Sequence, residues 1–219
     1  MMKTVIIACK TIEDEVLYAV GTVGAVCPIK WIESGLHDSP KRLKVRLQEE
    51  LNATDANRVL LAFGYCGNAI LGLETGNFEL IIPRVEDCIS LLIGSNTERM
   101  KISAEHAAYF LTEGWLRGER NLWVEYQHSL EKYGKEITDM ISEKLYGHYR
   151  TLGLLNCGIS QFSSLIESTK TIADTLNLKQ QEIPASVLYI EQLIKGPWPK
   201  EKFITKPPHS LIAADDMYL

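Results

Sequence analysis

The feature that most restricts the fold is an alternation that runs through the first half of the chain. A short β-branched run is followed by a break at glycine, cysteine or polar residues, and then by a segment whose apolar residues recur at helical spacing. Strands separated by helices cannot pair as tight hairpins. Each helix carries the chain back across the sheet, so the strands come to lie parallel. Residues 4–8 are the first strand, and Thr11, with Asp14 three positions on, reads as the cap of a helix through Gly21 with Ile12, Val16, Ala19 and Val20 inward. Residues 29–32 are the second strand, closed by Ser34-Gly35. Ser39-Pro40 then starts a helix, a hydroxyl cap with proline in the first turn, leading into Leu43, Val45, Leu47 and Leu51 and ending near Asn52. Residues 58–63 and 78–82 are the third and fourth strands. Pro83 stops the latter, and a helix follows from about Asp87 to Ile93 before Gly94.

Beyond residue 98 the pattern loosens. Residues 99–116 mix aromatic and polar side chains and suggest a strand with a loop. Residues 119–146 read as one or two helices, with Leu122, Tyr126, Leu130, Ile137, Ile141 and Leu145 inward and Gly134 as a break. The alternation then returns as a strand at 151–156, a helix at 160–177, a short strand at 178–182 and a helix at 185–195 ahead of Gly196-Pro197. The tail through Lys206-Pro207-Pro208 predicts a wrap across the body with a candidate strand at 211–213. No low-complexity linker divides the 219 residues. The expectation is a single α/β domain over residues 1–219: a doubly wound, mostly parallel, Rossmann-like sheet with a helical insertion at about residues 117–149.

Charge and hydropathy narrow the partners. With 28 acidic against 23 basic side chains and a net charge of -5, no basic surplus exists to neutralise a phosphate backbone, so nucleic acid is not expected. No apolar run approaches the ~20 residues that cross a bilayer. The apolar stretch at the N-terminus is too short, and too soon followed by Lys10 and Glu13, for a signal peptide. The expectation is a cytoplasmic protein that acts on a small molecule and does not engage a membrane. Neither a GxGxxG turn after the first strand nor a GKT/S phosphate loop occurs, so no nucleotide is assigned.

The five cysteines are an odd number, which excludes a complete internal disulfide framework. In a reducing compartment, cysteines are core residues, metal ligands or nucleophiles. No CxxC pair and no HExxH helix occurs, so a metal site must be gathered from distant segments. A doubly wound sheet does this: the loops leaving the C-terminal strand ends converge on one edge, where ligands bind. Cys9 follows the first strand, His37 the second, Cys66 the third and Cys88 the fourth, at intervals of 28, 29 and 22 residues. That spacing also follows from one strand plus one helix. Cys157 follows a later strand and can join them, whereas Cys27 precedes the second strand and belongs at the opposite edge. Imidazole and thiolate are the ligands zinc prefers, with three protein ligands and an open position marking a catalytic site. The preferred trio is His37, Cys66 and Cys88, with Cys9 a fourth ligand or a donor behind them; the same positions suit an iron–sulfur cluster. Each cysteine alone is equally an ordinary buried residue.

The flanking residues add detail. In Gly64-Tyr65-Cys66-Gly67-Asn68 two glycines surround a cysteine, as a close backbone approach or an ordinary tight turn requires. Glu86 and Asp87 stand before Cys88 at a helix start. Either can orient His37 or handle protons, and Asp87 is equally an ordinary cap. Tyr65, Thr112 and Trp115 are expected to line a pocket, with the aromatic string 109–115 either its wall or a satellite cluster. His106, His128, His148 and His209 lack partners at ligand spacing, and Asp215-Asp216 reads as solvated.

Leu36-His37-Asp38-Ser39-Pro40, Gly64-Tyr65-Cys66-Gly67, Pro83-Arg84 with Asp87-Cys88-Ile89, Leu92-Ile93-Gly94-Ser95 and Leu111-Thr112-Glu113-Gly114-Trp115, in this order, resemble a family of uncharacterised prokaryotic proteins. Its members are often found beside corrinoid-dependent methyltransferase systems in anaerobes. The resemblance extends from about residue 3 to beyond residue 195. It maps the family's histidine and cysteines onto His37, Cys66 and Cys88, and Cys9 also fits. Many relatives carry histidine where this chain has Glu86, so a role needing imidazole there is not carried over. What it implies is a metal-binding protein of methyl or one-carbon metabolism, as an enzyme or as an accessory protein for a corrinoid methyltransferase system. The Asp-x-His-x-x-Gly corrinoid motif is absent, since Gly35 and Leu36 precede His37.

Overall fold

The structure, a computed structural model, describes residues 3–159 and 162–217. Strands β1 (Thr4–Cys9), β2 (Ile29–Ile32), β3 (Arg58–Ala62) and β4 (Glu79–Pro83) are followed by β5 (Ala108–Leu111), β6 (Thr151–Asn156), β7 (Lys179–Pro184) and β8 (Phe203–Lys206). The first four lie parallel in the order β2-β1-β3-β4, and β8 closes the outer edge of β4 antiparallel. The residues of β1 from Val5 to Cys9 are all buried, the continuous apolar run of a strand covered on both faces. Chain order reverses at β1, which has β2 on one side and β3 on the other. The crevice between β1 and β3 is therefore the switch point where such sheets bind ligands.

The strands of the second half do not extend this sheet. With β8 occupying the edge of β4, they pair among themselves as a parallel sheet in the order β5-β6-β7. The two sheets share a core: Ala108, Phe110, Leu155 and Ile183 pack with the apolar residues of the first sheet. The fold is α/β with mostly parallel strands, as expected. The helices after residue 117 form the crossover that parallel neighbours β5 and β6 require.

Helices α1 (Glu13–Val23) and α2 (Pro40–Asn52) connect β1 to β2 and β2 to β3, and α3 (Cys88–Ile93) follows β4. Ser39 accepts from the Arg42 N–H with Pro40 in the first turn, and Asp87 accepts from the Ser90 N–H, with Gly94 left-handed at the end of α3. Leu43, Leu47 and Leu51 are buried, whereas Val45 lies on the outer face of α2. Thr11 caps nothing: it sits in a 3₁₀ turn, Lys10–Ile12, and its buried side chain turns back to Cys9.

The span 99–116, expected as strand and loop, continues α4 (Asn96–His106) into β5 and then α5 (Glu113–Leu116). Ser95 caps α4, but no residue of that helix is fully buried, so it carries no apolar stripe to read. Gly134 separates α6 (Leu122–Tyr133) from α7 (Lys135–Tyr146). Leu122 and Tyr126 face inward, but α7 buries Thr138 and Ser142 and exposes Ile137 and Leu145. The Thr138 hydroxyl donates to Ser129 at 3.1 Å, a close helix contact that only short side chains permit. Helix α8 is described over Phe162–Thr175; the expected start at Ser160 lies outside the described residues. After it comes α9 (Leu188–Lys195), which packs on α1, α3, β3 and β4.

The tail wraps as expected, ending in α10 (Ala214–Met217), but Leu211 makes only an isolated bridge to Glu74 in place of a strand. Asp216, expected to be solvated, pairs with Lys206 at 2.8 Å. No described helix is long and apolar enough to cross a membrane.

One buried charge tests this packing. Glu15 of α1 is 5% exposed, and one of its carboxylate oxygens has no partner. Burial pushes its pKa up to about 7 from 4.5; Asp14 and Glu113 add to the effect, while its own backbone N–H and Arg117 oppose it. The folded state thus holds the proton more tightly than the unfolded chain. The contribution of this group to stability is fully present below pH 4.5 and is lost as the pH rises through 7, about 3 kcal/mol in all. Glu15→Gln is expected to gain roughly 2 kcal/mol or more at pH 8 and little at pH 4.5, measured by urea unfolding at both values. A pH-independent difference would show that Glu15 is ionised in the fold.

Candidate metal centre

Cys9 is the last residue of β1, fully buried, and its Sγ lies 2.8 Å from the Thr11 hydroxyl. His37 follows the 3₁₀ turn Ser34–Leu36 beyond β2. Its Nδ1 is 2.9 Å from the Ser34 carbonyl, an acceptor only, so Nδ1 carries the proton and donates. Nε2 then presents its lone pair, 3.4 Å from Cys9 Sγ. The orienting partner of the imidazole is thus a backbone carbonyl, in place of the expected Glu86 or Asp87. Trp115 holds the other side of the ring, edge-on at 5.3 Å. Cys88, buried, opens α3 behind the Asp87 cap. The ligand atoms of Cys9, His37 and Cys88 all lie within 4.8 Å of one another. Tetrahedral zinc with Zn–S and Zn–N bonds of about 2.3 and 2.0 Å sets its ligand atoms about 3.5–3.8 Å apart. The trio is within about an ångström of that arrangement.

Cys66 reaches the same place from a strained turn. Cys66, Gly67 and Asn68 have φ of 46°, 66° and 67°, three successive left-handed residues where L side chains are rare. Two backbone bonds hold the turn to the segment ahead of Cys88: Tyr65 N–H to the Val85 carbonyl and Cys66 N–H to the Glu86 carbonyl, both 2.8 Å. The tail braces it from outside, as the Tyr65 hydroxyl donates to the Met217 carbonyl and the Gly72 N–H to that of Ile212.

The electrostatics are those of crowded thiols. Interaction with Cys88, then burial, raises the Cys66 pKa well above the ordinary thiol value, against a lowering by His37. Cys66 lowers Cys88, but Cys9 and burial outweigh it and raise that thiol as well. Burial alone would lower His37; Cys66, the Ser34 carbonyl and Asp38 together raise it.

Beside the group lies a cavity of about 290 Å³ whose lining includes His37, Cys66, Cys88, Arg99, Tyr109 and Trp115. Trp115 occupies the wall as expected, its indole N–H donating to the Tyr109 hydroxyl at 3.2 Å. Two other expected pocket residues lie elsewhere. Tyr65 lines a separate cleft with Arg84 and Glu86. Thr112 is buried behind the wall, donating to the Thr11 carbonyl and capping α5. Of the two carboxylates, Glu86 faces that other cleft, and Asp87 lines the cavity with its oxygens committed to the Ser90 N–H and to Arg99 at 3.1 Å. Neither carboxylate hydrogen-bonds to His37, whose ring nitrogens meet Cys9 and the Ser34 carbonyl. Cys157 stays apart, near Glu15, its pKa pushed up to about 12 chiefly by burial. Cys27 sits at the opposite end of β2. His128, His148 and His209 are exposed, and His106 meets Gln181. Ser34, Arg99 and Tyr149 had no signal in the sequence, because a carbonyl partner and a side chain on an unpatterned helix leave none.

Mostly parallel strands delivering buried thiols and an imidazole to one sheet edge, beside an aromatic cavity, define an α/β protein with a candidate metal centre. The chain belongs to the family described as Protein of unknown function (DUF1638), whose model matches residues 31–194 and so includes His37, Cys66 and Cys88. No curated protein and no solved structure matches it.

Gly64 lets the turn dock. A Cβ there would stand 2.5 Å from the backbone N and Cα of Asp87, atoms that cannot swing aside. Gly64→Ala is expected to cost about 2–4 kcal/mol in denaturant unfolding and to speed labelling of Cys66 and Cys88 by a thiol reagent. Wild-type labelling rates in the variant would mean that the turn docks without this contact.

Proposed function

We propose that the chain binds one zinc ion through Cys9, His37 and Cys88 and uses it on a small molecule entering from the adjoining cavity. The observation that carries this reading is the trio itself: three ligand atoms within 4.8 Å, one an imidazole nitrogen whose tautomer is set for coordination. A divalent cation also relieves the crowding that raises the thiols. Thiolate and imidazole together favour zinc over harder ions. Cys66, on the cavity side and held by a strained turn, is the exchangeable fourth ligand, giving way to a substrate donor. Zinc would lower the pKa of a bound thiol and so supply a nucleophile at neutral pH. Methyl or other small-group transfer, in partnership with a corrinoid methyltransferase system, is the reaction class suggested by the motif resemblance. All five cysteines are free, as a reducing cytoplasm would keep them.

Elemental analysis of anaerobically purified protein is expected to give about one zinc per chain. His37→Ala, Cys9→Ser and Cys88→Ser each lose most of it, Cys66→Ala retains zinc at weaker affinity, and Cys27→Ala has no effect. Iron with acid-labile sulfide, or no metal, overturns the reading. Because binding displaces a proton from each of two thiols, apparent affinity is expected to fall roughly a hundredfold or more per unit decrease in pH below neutrality, measured by chelator competition. A flat profile would exclude thiolate ligation.

A further inference from the structure

Among the described residues, one arginine and no lysine line the cavity. Arg99, on α4, lines it and has a single ion-pair partner among the described residues, Asp87, through one terminal nitrogen at 3.1 Å. Its Nε is buried with no acceptor, a costly omission for a group whose N–H donors are arranged as a fork for carboxylates and related oxyanions. The guanidinium stands 5.9 Å over the Phe110 ring, which holds its plane beside the cavity. Between Arg99 and the thiols the walls are mostly apolar or aromatic: Ile89, Ala108, Tyr109, Phe110, Trp115 and Tyr149. Tyr109 is fixed by Trp115 and by an edge-on contact with Tyr149 at 5.4 Å, so this wall is formed in advance. A cavity of 150 Å³ accepts benzene, so 290 Å³ suits a molecule of about twelve non-hydrogen atoms or fewer.

We infer that the cavity selects a small anionic substrate, a carboxylate or similar oxyanion whose charged end sits on Arg99 while its other end reaches the metal. This rests on the metal reading above. Asp87 neutralises only part of the guanidinium, and by pairing with it holds the side chain at the cavity wall. A neutral ligand of the same length would leave unpaired the terminal N–H donors that Asp87 does not take, and selectivity follows from that difference.

Cobalt(II)-substituted protein gives the test, because thiolate-to-cobalt absorption reports the metal and any added thiol separately. 3-Mercaptopropionate and 2-mercaptoethanol are titrated as probes. The expected result is at least tenfold tighter binding of the carboxylate probe, a preference abolished in Arg99→Gln, partly retained in Arg99→Lys, with cobalt content unchanged in both. Equal affinity of the two thiols for cobalt-loaded wild-type protein overturns the anion proposal and leaves the metal reading standing. Absence of thiolate–cobalt absorption before any thiol is added overturns both. Should Arg99→Gln fail to load cobalt, the preference shown by the wild-type protein decides alone.

Discussion

Two backbone hydrogen bonds, from the N–H groups of Tyr65 and Cys66 to the carbonyls of Val85 and Glu86, hold the candidate centre together. They lock the turn after β3 to the segment that leads into α3, which fixes Cys66 against Cys88. They form only because Gly64 leaves room for the Asp87 backbone. Left to itself the turn would not hold three left-handed residues in a row, since each non-glycine there carries a cost of about 1–2 kcal/mol. Docking against the segment after β4 and bracing by the tail offset that cost, so the conformation of Cys66 depends on tertiary contacts more than on its own sequence.

Cys9 and His37 reach the same place by a different route. Sheet order puts β1 between β2 and β3, so the residue ending β1 lies at the centre of the edge where the chain reverses direction. The second sheet completes the surroundings. Thr112 at the end of β5 donates to the Thr11 carbonyl, and a Cβ on Gly114 would stand 2.5 Å from that same oxygen. This contact seats α5 against the 3₁₀ turn after Cys9 and brings Trp115 onto the face of His37. A cavity wall from one sheet thus meets a ligand set from the other.

Much of this was legible where the signal was local. The Ser39-Pro40 and Asp87 caps, the Gly94 stop, the break at Gly134 and the strand at 151–156 all rest on short-range stereochemistry that operates in any context. The clustering of His37, Cys66, Cys88 and Cys9 was also legible, because strand ends of a parallel sheet must converge. What interval counting cannot supply is which strand lies at the centre. Cys9, which the spacing offers only as a fourth ligand, joins His37 and Cys88 in the tight trio, while Cys66 lines the adjoining cavity together with His37 and Cys88. The separate second sheet was hidden for the same reason. Whether a strand can add to an edge depends on whether β8, from the far end of the chain, already covers it. Helix α4 escaped notice because it buries no side chain fully, and Arg99 escaped with it.

The division of labour around Asp87 shows why a carboxylate beside a cysteine need not be a base. One oxygen satisfies the Ser90 N–H at the start of α3, and the other neutralises part of Arg99. Both oxygens therefore already have partners. On the proposed metal reading, the proton traffic of ligation would fall to Cys66 and Cys88 themselves, whose raised pKa values would keep them protonated until a cation drew the protons off. Metal loading and ligand activation would then be the same electrostatic event, at the sheet edge that gathers the thiols.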